Sequence, residues 1–113
     1  MISEILGLQS DNRPVMGFAW YDSSSFDKLR EAMPDMSESY DDWRLGAQKD
    51  LKKAEQEGYR VIRIAMRPDD FFAWCRQRGI GAPGLSARRA FAADQARLVV
   101  QAERSRKRAF SFF

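Results

Sequence analysis

The sequence predicts a small α+β or α/β domain with two strands and four helices in the order β-α-α-β-α-α. The chain has 113 residues, a length that suits a single domain. Two short runs rich in apolar residues, VMGFAWY and YRVIRIAM, have the length and composition of strands. Four other segments place apolar residues three and four positions apart, which is the spacing of one helix face.

The first strand is predicted at residues 15–21. Met16, Phe18 and Trp20 would share one face, and the residues between them are small enough for a helix to pack closely on the other. Apolar residues on both faces are typical of an interior strand. A short helix is predicted at residues 25–34, where it ends at a proline.

A longer helix is predicted from Tyr40 to about Glu57. Ser39 and Asp42 resemble a capping box at its start, and Gly58 is a natural residue for its end. The apolar stripe of this helix is narrow and consists of Tyr40, Trp43, Ala47, Leu51 and Ala54.

The second strand is predicted at residues 59–66. A third helix begins at Pro68, because a first helical turn does not need the missing N–H, and it ends at Gly79. Ser86 is predicted to cap a last helix at about Ala87–Arg104.

Residues 15–104 are expected to form one domain between a leader, residues 1–14, and a basic and aromatic tail, residues 105–113. The crossover through two helices permits parallel pairing of the strands and does not exclude antiparallel pairing. Because a two-stranded sheet is marginal and has exposed edges, we expect a homodimer that joins two sheets. The phenylalanines of the tail are expected to pack on the core or on a neighbouring subunit.

The amino-acid composition excludes several kinds of site. The chain has no histidine, so it contains no Ser-His-Asp or Cys-His machinery and no histidine zinc site. Its single cysteine cannot form an internal disulfide, and a reducing cytoplasm is the simplest location. No apolar run approaches the roughly 18 residues of a membrane span.

Cys75 lies in the segment RPDDFFAWCRQRG and is the only candidate thiol nucleophile. A reactive thiol needs a lowered pKa, which a helix N-terminus or a cation beside it supplies. Cys75 instead falls in the middle of the third predicted helix, on the same stripe as Phe71. We therefore predict that Cys75 is buried as a small hydrophobic residue.

A second group of candidate residues follows the two strands. If the strands are parallel, Asp22, Asp69 and Asp70 meet at the edge of the sheet where open α/β folds bind ligands. They are weak catalytic candidates, and Tyr21 and Arg67 are weak ligand-binding candidates beside them. The alternative is that the three carboxylates only cap helices, which favour acidic residues at the same place. No metal or cofactor is predicted.

The charge is distributed unevenly along the chain. Residues 1–59 have a net charge of −5 and residues 60–113 a net charge of +8, with eleven arginines among twelve basic residues. A basic half suits an acidic partner such as nucleic acid, an acidic protein surface or the acidic half of another copy. The nucleic-acid-binding candidates lie on or after the last helix and are Arg89, Arg97, Arg104, Arg106, Lys107 and Arg108.

Several motifs in residues 16–96 resemble a small family of bacterial proteins of unknown function. They are Ala19-Trp20-Tyr21, Trp43 with Glu57-Gly58, Pro68-Asp69 with Trp74-Cys75, and Ala87 with Ala90-Phe91. The resemblance implies a bacterial and cytoplasmic setting, and it implies no catalytic residues.

Taken together, these features favour a non-enzymatic protein-interaction module that acts as a homodimer or with a protein partner. The alternative is a nucleic-acid-binding accessory protein that uses the basic last helix and tail. A carboxylate-based enzyme or small-ligand binder, using Asp22, Asp69 and Asp70, is the third possibility.

Overall fold

A computed structural model describes residues 11–36 and 39–111, without the side chains of residues 109–111. It confirms the small α+β fold and the order β-α-α-β-α-α. The six elements are β1 (Val15–Trp20), α1 (Ser23–Ala32), α2 (Tyr40–Gln56), β2 (Arg60–Ala65), α3 (Pro68–Gln77) and α4 (Leu85–Ser111). The leader prediction, apart from residues 11–14, and the packing of the tail phenylalanines lie outside the described residues.

The starts of α1 and α2 follow local capping. Asp22 precedes α1, and its Oδ1 accepts a hydrogen bond of 2.7 Å from the backbone N–H of Ser25. This cap explains why α1 begins two residues before the predicted start at residue 25. Ser39 caps α2 in the same way, since its Oγ accepts from the Asp42 N–H at 3.0 Å.

The last helix is longer than predicted at both ends. It begins at Leu85, and the Arg88 N–H donates to the Gly84 carbonyl at 3.1 Å, so Ser86 lies within the first turn and is not its cap. No glycine or proline interrupts the chain from there to Ser111, and the arginines, lysine and alanine after Arg104 are good helix formers. The segment predicted as a tail is therefore helical as far as Ser111.

The two strands are parallel, with Val15 opposite Arg60 and Trp20 opposite Ala65. Parallel pairing is possible because α1 and α2 form the crossover between them. Within the described part of the chain, β2 is the only strand that pairs with β1.

One face of the sheet packs directly against α4. Gly17 makes this approach possible, since a Cβ at this position would lie 2.3 Å from the carbonyl oxygen of Ala92. The face with Trp20 meets α2, where the Trp20 and Trp43 rings lie edge to face with centroids 5.3 Å apart. The sheet is therefore flanked by α4 on one side and by α2 on the other.

The remaining core fills the end of the sheet where both strands finish. Phe26 and Leu29 of α1 are fully buried there, as is Phe71 of α3. The Phe71 ring meets the Phe91 ring of α4 at 5.5 Å and 90°, so α3 is joined to α4 through aromatic contacts. No helix among residues 11–36 and 39–111 is long and apolar enough to cross a membrane.

Candidate functional site: a groove along the free edge of β1

A groove follows the side of β1 that faces away from β2. It consists of two adjoining depressions of about 750 and 600 Å³, which share Met16 and Gly17. Consecutive residues from both faces of β1 line it, from Val15 to Ala19. A depression lined by both faces of a strand lies at the edge of that strand, and the other edge of β1 is paired. We call this feature the edge groove.

The hydrogen bonds at the two ends of the sheet show which backbone groups point into the edge groove. The Arg60 N–H donates to the Pro14 carbonyl at 2.8 Å, and the Met66 N–H donates to the Trp20 carbonyl at 3.0 Å. Because backbone groups alternate along a strand, the even-numbered residues of β1 face β2. The N–H and C=O groups of Val15, Gly17 and Ala19 therefore point away from β2.

Helix α4 forms one wall of the edge groove along most of its length. Its residues recur every three or four positions, as expected of one side of a helix. They are Leu85, Arg88, Arg89 and Ala92 beside the larger depression. They are Ala93, Ala96, Arg97, Val100, Gln101 and Arg104 beside the smaller one. Small side chains near the strand thus alternate with arginines.

Helix α2 forms the opposite wall of the larger depression. This wall combines an aromatic ring, a buried alanine and three charged residues of mixed sign. The residues are Trp43, Asp50, Lys53 and Ala54 of α2, and Glu57, which caps its C-terminus. The two walls therefore differ in charge, with arginines on α4 and a net charge of −1 on α2.

An ion pair between a buried arginine and a half-exposed aspartate lies at one end of the edge groove. Arg88 is only 6% exposed, and its guanidinium donates to both carboxylate oxygens of Asp35, at 3.1 and 2.9 Å. These hydrogen bonds hold the pKa of Asp35 below its usual value. Tyr21 lies beside this pair, and burial raises the pKa of its hydroxyl. The pair joins the α1–α2 loop to α4 and so fixes the shape of the groove.

The arginines on α4 differ in how they are paired. Arg97 donates to Asp94 at 2.8 Å, and the same carboxylate accepts from Arg78 at 3.0 Å. Arg89 and Arg104 have no ion-pair partner among the described residues. Two positive charges at the edge groove are therefore available to a ligand.

The other basic candidates continue along α4 beyond the edge groove. Arg106, Lys107 and Arg108 are exposed and do not line it. Successive residues of an α-helix are about 100° apart. Arg106 therefore points about 160° away from Arg104, and these charges are spread around the helix.

Cys75 is buried, as predicted, with 2% of its surface exposed. Burial raises the pKa of its thiol, and this lowers the fraction of reactive thiolate at neutral pH. The residue packs in the core with Phe71 and Trp74. The RPDDFFAWCRQRG segment therefore serves to bury its aromatic side.

The candidate residues at the carboxyl ends of the strands do not line the edge groove, except for Tyr21. Asp22 caps α1, and the backbone hydrogen bond from Ser25 lowers its pKa. Asp69 and Asp70 lie in the first turn of α3, which follows Arg67. Among the described residues, no group of three or more acidic or cysteine side chains could hold a metal ion.

Arg89, Arg97 and Arg104 were predicted as nucleic-acid-binding candidates, and the groove that they line was not predicted. The role of Arg88 was missed because its partner, Asp35, is 53 residues away in the chain. Gly17 indicates the close approach of another element, because a small residue on an otherwise apolar strand is typical of close packing. Comparisons with protein-family models, with curated proteins and with solved structures found no match, so the resemblance inferred from the sequence stays a prediction.

Proposed function

We propose that this chain is a non-enzymatic interaction module that binds an extended segment of a partner protein along the edge groove. The observation that carries the proposal is the set of backbone groups of Val15, Gly17 and Ala19 that face the groove. An added strand would pair with these groups, a mode of recognition in which backbone hydrogen bonds supply affinity and flanking side chains supply specificity. The single cysteine and the family resemblance favour a bacterial cytoplasm as the setting.

The position of the edge groove between α2 and α4 supports this mode of binding. Adjacent strands lie about 4.8 Å apart, and a strand six residues long spans about 20 Å. The walls formed by α2 and α4 would contact alternate side chains of the added strand, one set on each face. A two-stranded sheet would become three-stranded, which is also a more stable arrangement.

Proline substitutions at the two edges of the sheet test the proposal. Val15→Pro removes an N–H that points into the edge groove and leaves the bonds to β2 in place. Ala65→Pro is the matched control, because by the same alternation its N–H points to the opposite edge of the sheet. Peptides selected on the natural chain from a random display library should lose binding to Val15→Pro and keep it to Ala65→Pro. No enriched peptide, or equal binding to both variants, would contradict the proposal.

Nucleic-acid binding is the second candidate, and the length of α4 supports it. The helix continues to Ser111 with exposed Arg104, Arg106 and Lys107, so it could follow a phosphate backbone. The test is binding of random duplex and single-stranded DNA at low and moderate salt to a R106E/K107E variant. A R30E/R44E variant, altered at exposed positions of α1 and α2, has the same net charge. A selective loss in R106E/K107E would support this candidate, and equal binding would exclude it.

A further inference from the structure

We infer that the segment bound in the edge groove is an acidic strand whose carboxylates lie on one face, about four residues apart. This inference rests on the proposed function, since it names the partner of the same site. It is carried by the charge of the α4 wall, by the different charge of the α2 wall, and by the spacing of three arginines.

The arginines of the α4 wall are spaced for an extended segment. Arg89, Arg97 and Arg104 are eight and seven residues apart on one helix. With a rise of 1.5 Å per residue, these separations are about 12 and 10 Å along the axis. Four residues of a strand span about 13 Å, and residues four apart share one face. Carboxylates at i and i+4 of an added strand would therefore reach successive arginines.

The arginines of the α4 wall are available to bind the carboxylates of a ligand. Arg89 and Arg104 have no ion-pair partner in the described part of the chain, and Arg97 shares Asp94 with Arg78. A guanidinium can bind a carboxylate through two parallel hydrogen bonds, which adds direction to the attraction. The α4 wall therefore selects acidic side chains on the face of the strand that it contacts.

The α2 wall selects a different kind of side chain on the opposite face. Asp50, Lys53 and Glu57 have a net charge of −1, and Met16 and Phe18 lie beside them. Acidic side chains on this face would meet two carboxylates, whereas apolar ones would contact Met16 and Phe18. The best partner is thus a strand with acidic residues on one face and apolar or neutral residues on the other. A uniformly charged polyanion such as nucleic acid matches the charge of the α4 wall but not that of the α2 wall.

A second copy of the chain fits the edge groove less well. Two β1 strands paired about a two-fold axis near Gly17 would place the two α4 helices side by side on one face of the sheet. Because α4 crosses β1 at Ala92, this symmetry places Arg89 of each copy near Arg97 of the other. Like charges in such positions repel, and the charge pattern therefore favours an acidic partner over homodimerisation.

Labelled peptides of about nine residues test the inference. One has glutamates four residues apart with valine and threonine between them, and a second has lysines in place of the glutamates. We expect the acidic peptide to bind the full chain roughly tenfold more tightly at low salt, the effect of two or three partly exposed ion pairs. The R89E/R104E variant should lose this preference and gain affinity for the lysine peptide. The R30E/R44E variant should keep it, and circular dichroism checks the folding of both.

The outcomes separate the inference from the proposed function. If both peptides bind equally and Val15→Pro abolishes both, strand addition stands and the acidic partner is wrong. If neither peptide binds, or Val15→Pro binds them as well as Ala65→Pro does, both statements are wrong. A doubled mass in light scattering that Val15→Pro abolishes would identify a second copy as the occupant and overturn the inference. DNA binding that R89E/R104E abolishes, without peptide binding, would overturn it as well.

Discussion

At the scale of single residues, Gly17 determines how closely α4 can lie on the sheet. Its missing side chain leaves space for the backbone of Ala92, and this contact sets one wall of the edge groove. Arg88 has a comparable role at the end of the groove, where its buried guanidinium binds Asp35 of the α1–α2 loop. Neither residue is expected to react with a ligand. Both instead position the groove residues that would bind a ligand.

Replacement of Gly17 by alanine tests this role. The new Cβ would meet the carbonyl oxygen of Ala92 at 2.3 Å, so the helix or the strand must shift. We expect a loss of about 1–3 kcal/mol in the free energy of unfolding, measured by urea denaturation. The control is Gly46→Ala in α2, where nothing lies within 4 Å of the new Cβ. That change should stabilise the chain by about 0.5–1 kcal/mol, because alanine favours the helix. Equal effects of the two substitutions would show that α4 does not pack on Gly17.

At the scale of elements, the strands and the first three helices could be predicted from their apolar periodicity and capping residues. The end of α4 could not, because residues 104–108 are all polar and interrupt the apolar stripe of the helix. The parallel pairing was also undecided, since a crossover of two helices allows both directions. The edge groove depends on that pairing and on the position of α4, and neither is encoded in a local pattern.

Substitution of Ser105 by proline tests the continuity of α4. Proline in a helix interior costs about 3 kcal/mol. The exposed last turns of α4 should therefore unfold. We expect the magnitude of the ellipticity at 222 nm to fall by the amount that about six or seven helical residues contribute. The midpoint of unfolding should change little, since Arg104 and the described side chains after it are exposed. Ser105→Ala should keep the natural ellipticity. If Ser105→Pro also keeps it, the segment after Arg104 is not helical.

At the scale of the whole molecule, the acidic first half and the basic second half meet in the fold through Arg88 and Asp35. This ion pair joins one acidic residue of the first half to one arginine of the second half. Most of the arginines on α4 stay exposed. The molecule therefore presents a basic helix beside an edge of β1 that no other described strand pairs with. That combination is the physical basis for the proposed function and for the acidic partner.

The same ion pair predicts how stability depends on pH. The pKa of Asp35 is lowered in the fold by the hydrogen bonds from Arg88, relative to an ordinary value of 3.8. The stability that the pair contributes is therefore present above the ordinary value and is lost as the pH falls through the lowered one. Urea denaturation should show Asp35→Asn to be less stable than the natural chain near neutral pH, with the difference shrinking below about pH 4. A difference that stays constant down to pH 2 would contradict this assignment.

Amide hydrogen exchange along β1, read by NMR with and without a bound acidic peptide, tests strand addition most directly. We expect the amides of Val15, Gly17 and Ala19 to become protected on binding, because an added strand accepts hydrogen bonds from them. The amides of Phe18 and Trp20, which face β2, should change much less. Protection confined to α4, with no change at Val15, Gly17 and Ala19, would show that the peptide binds the arginines without extending the sheet.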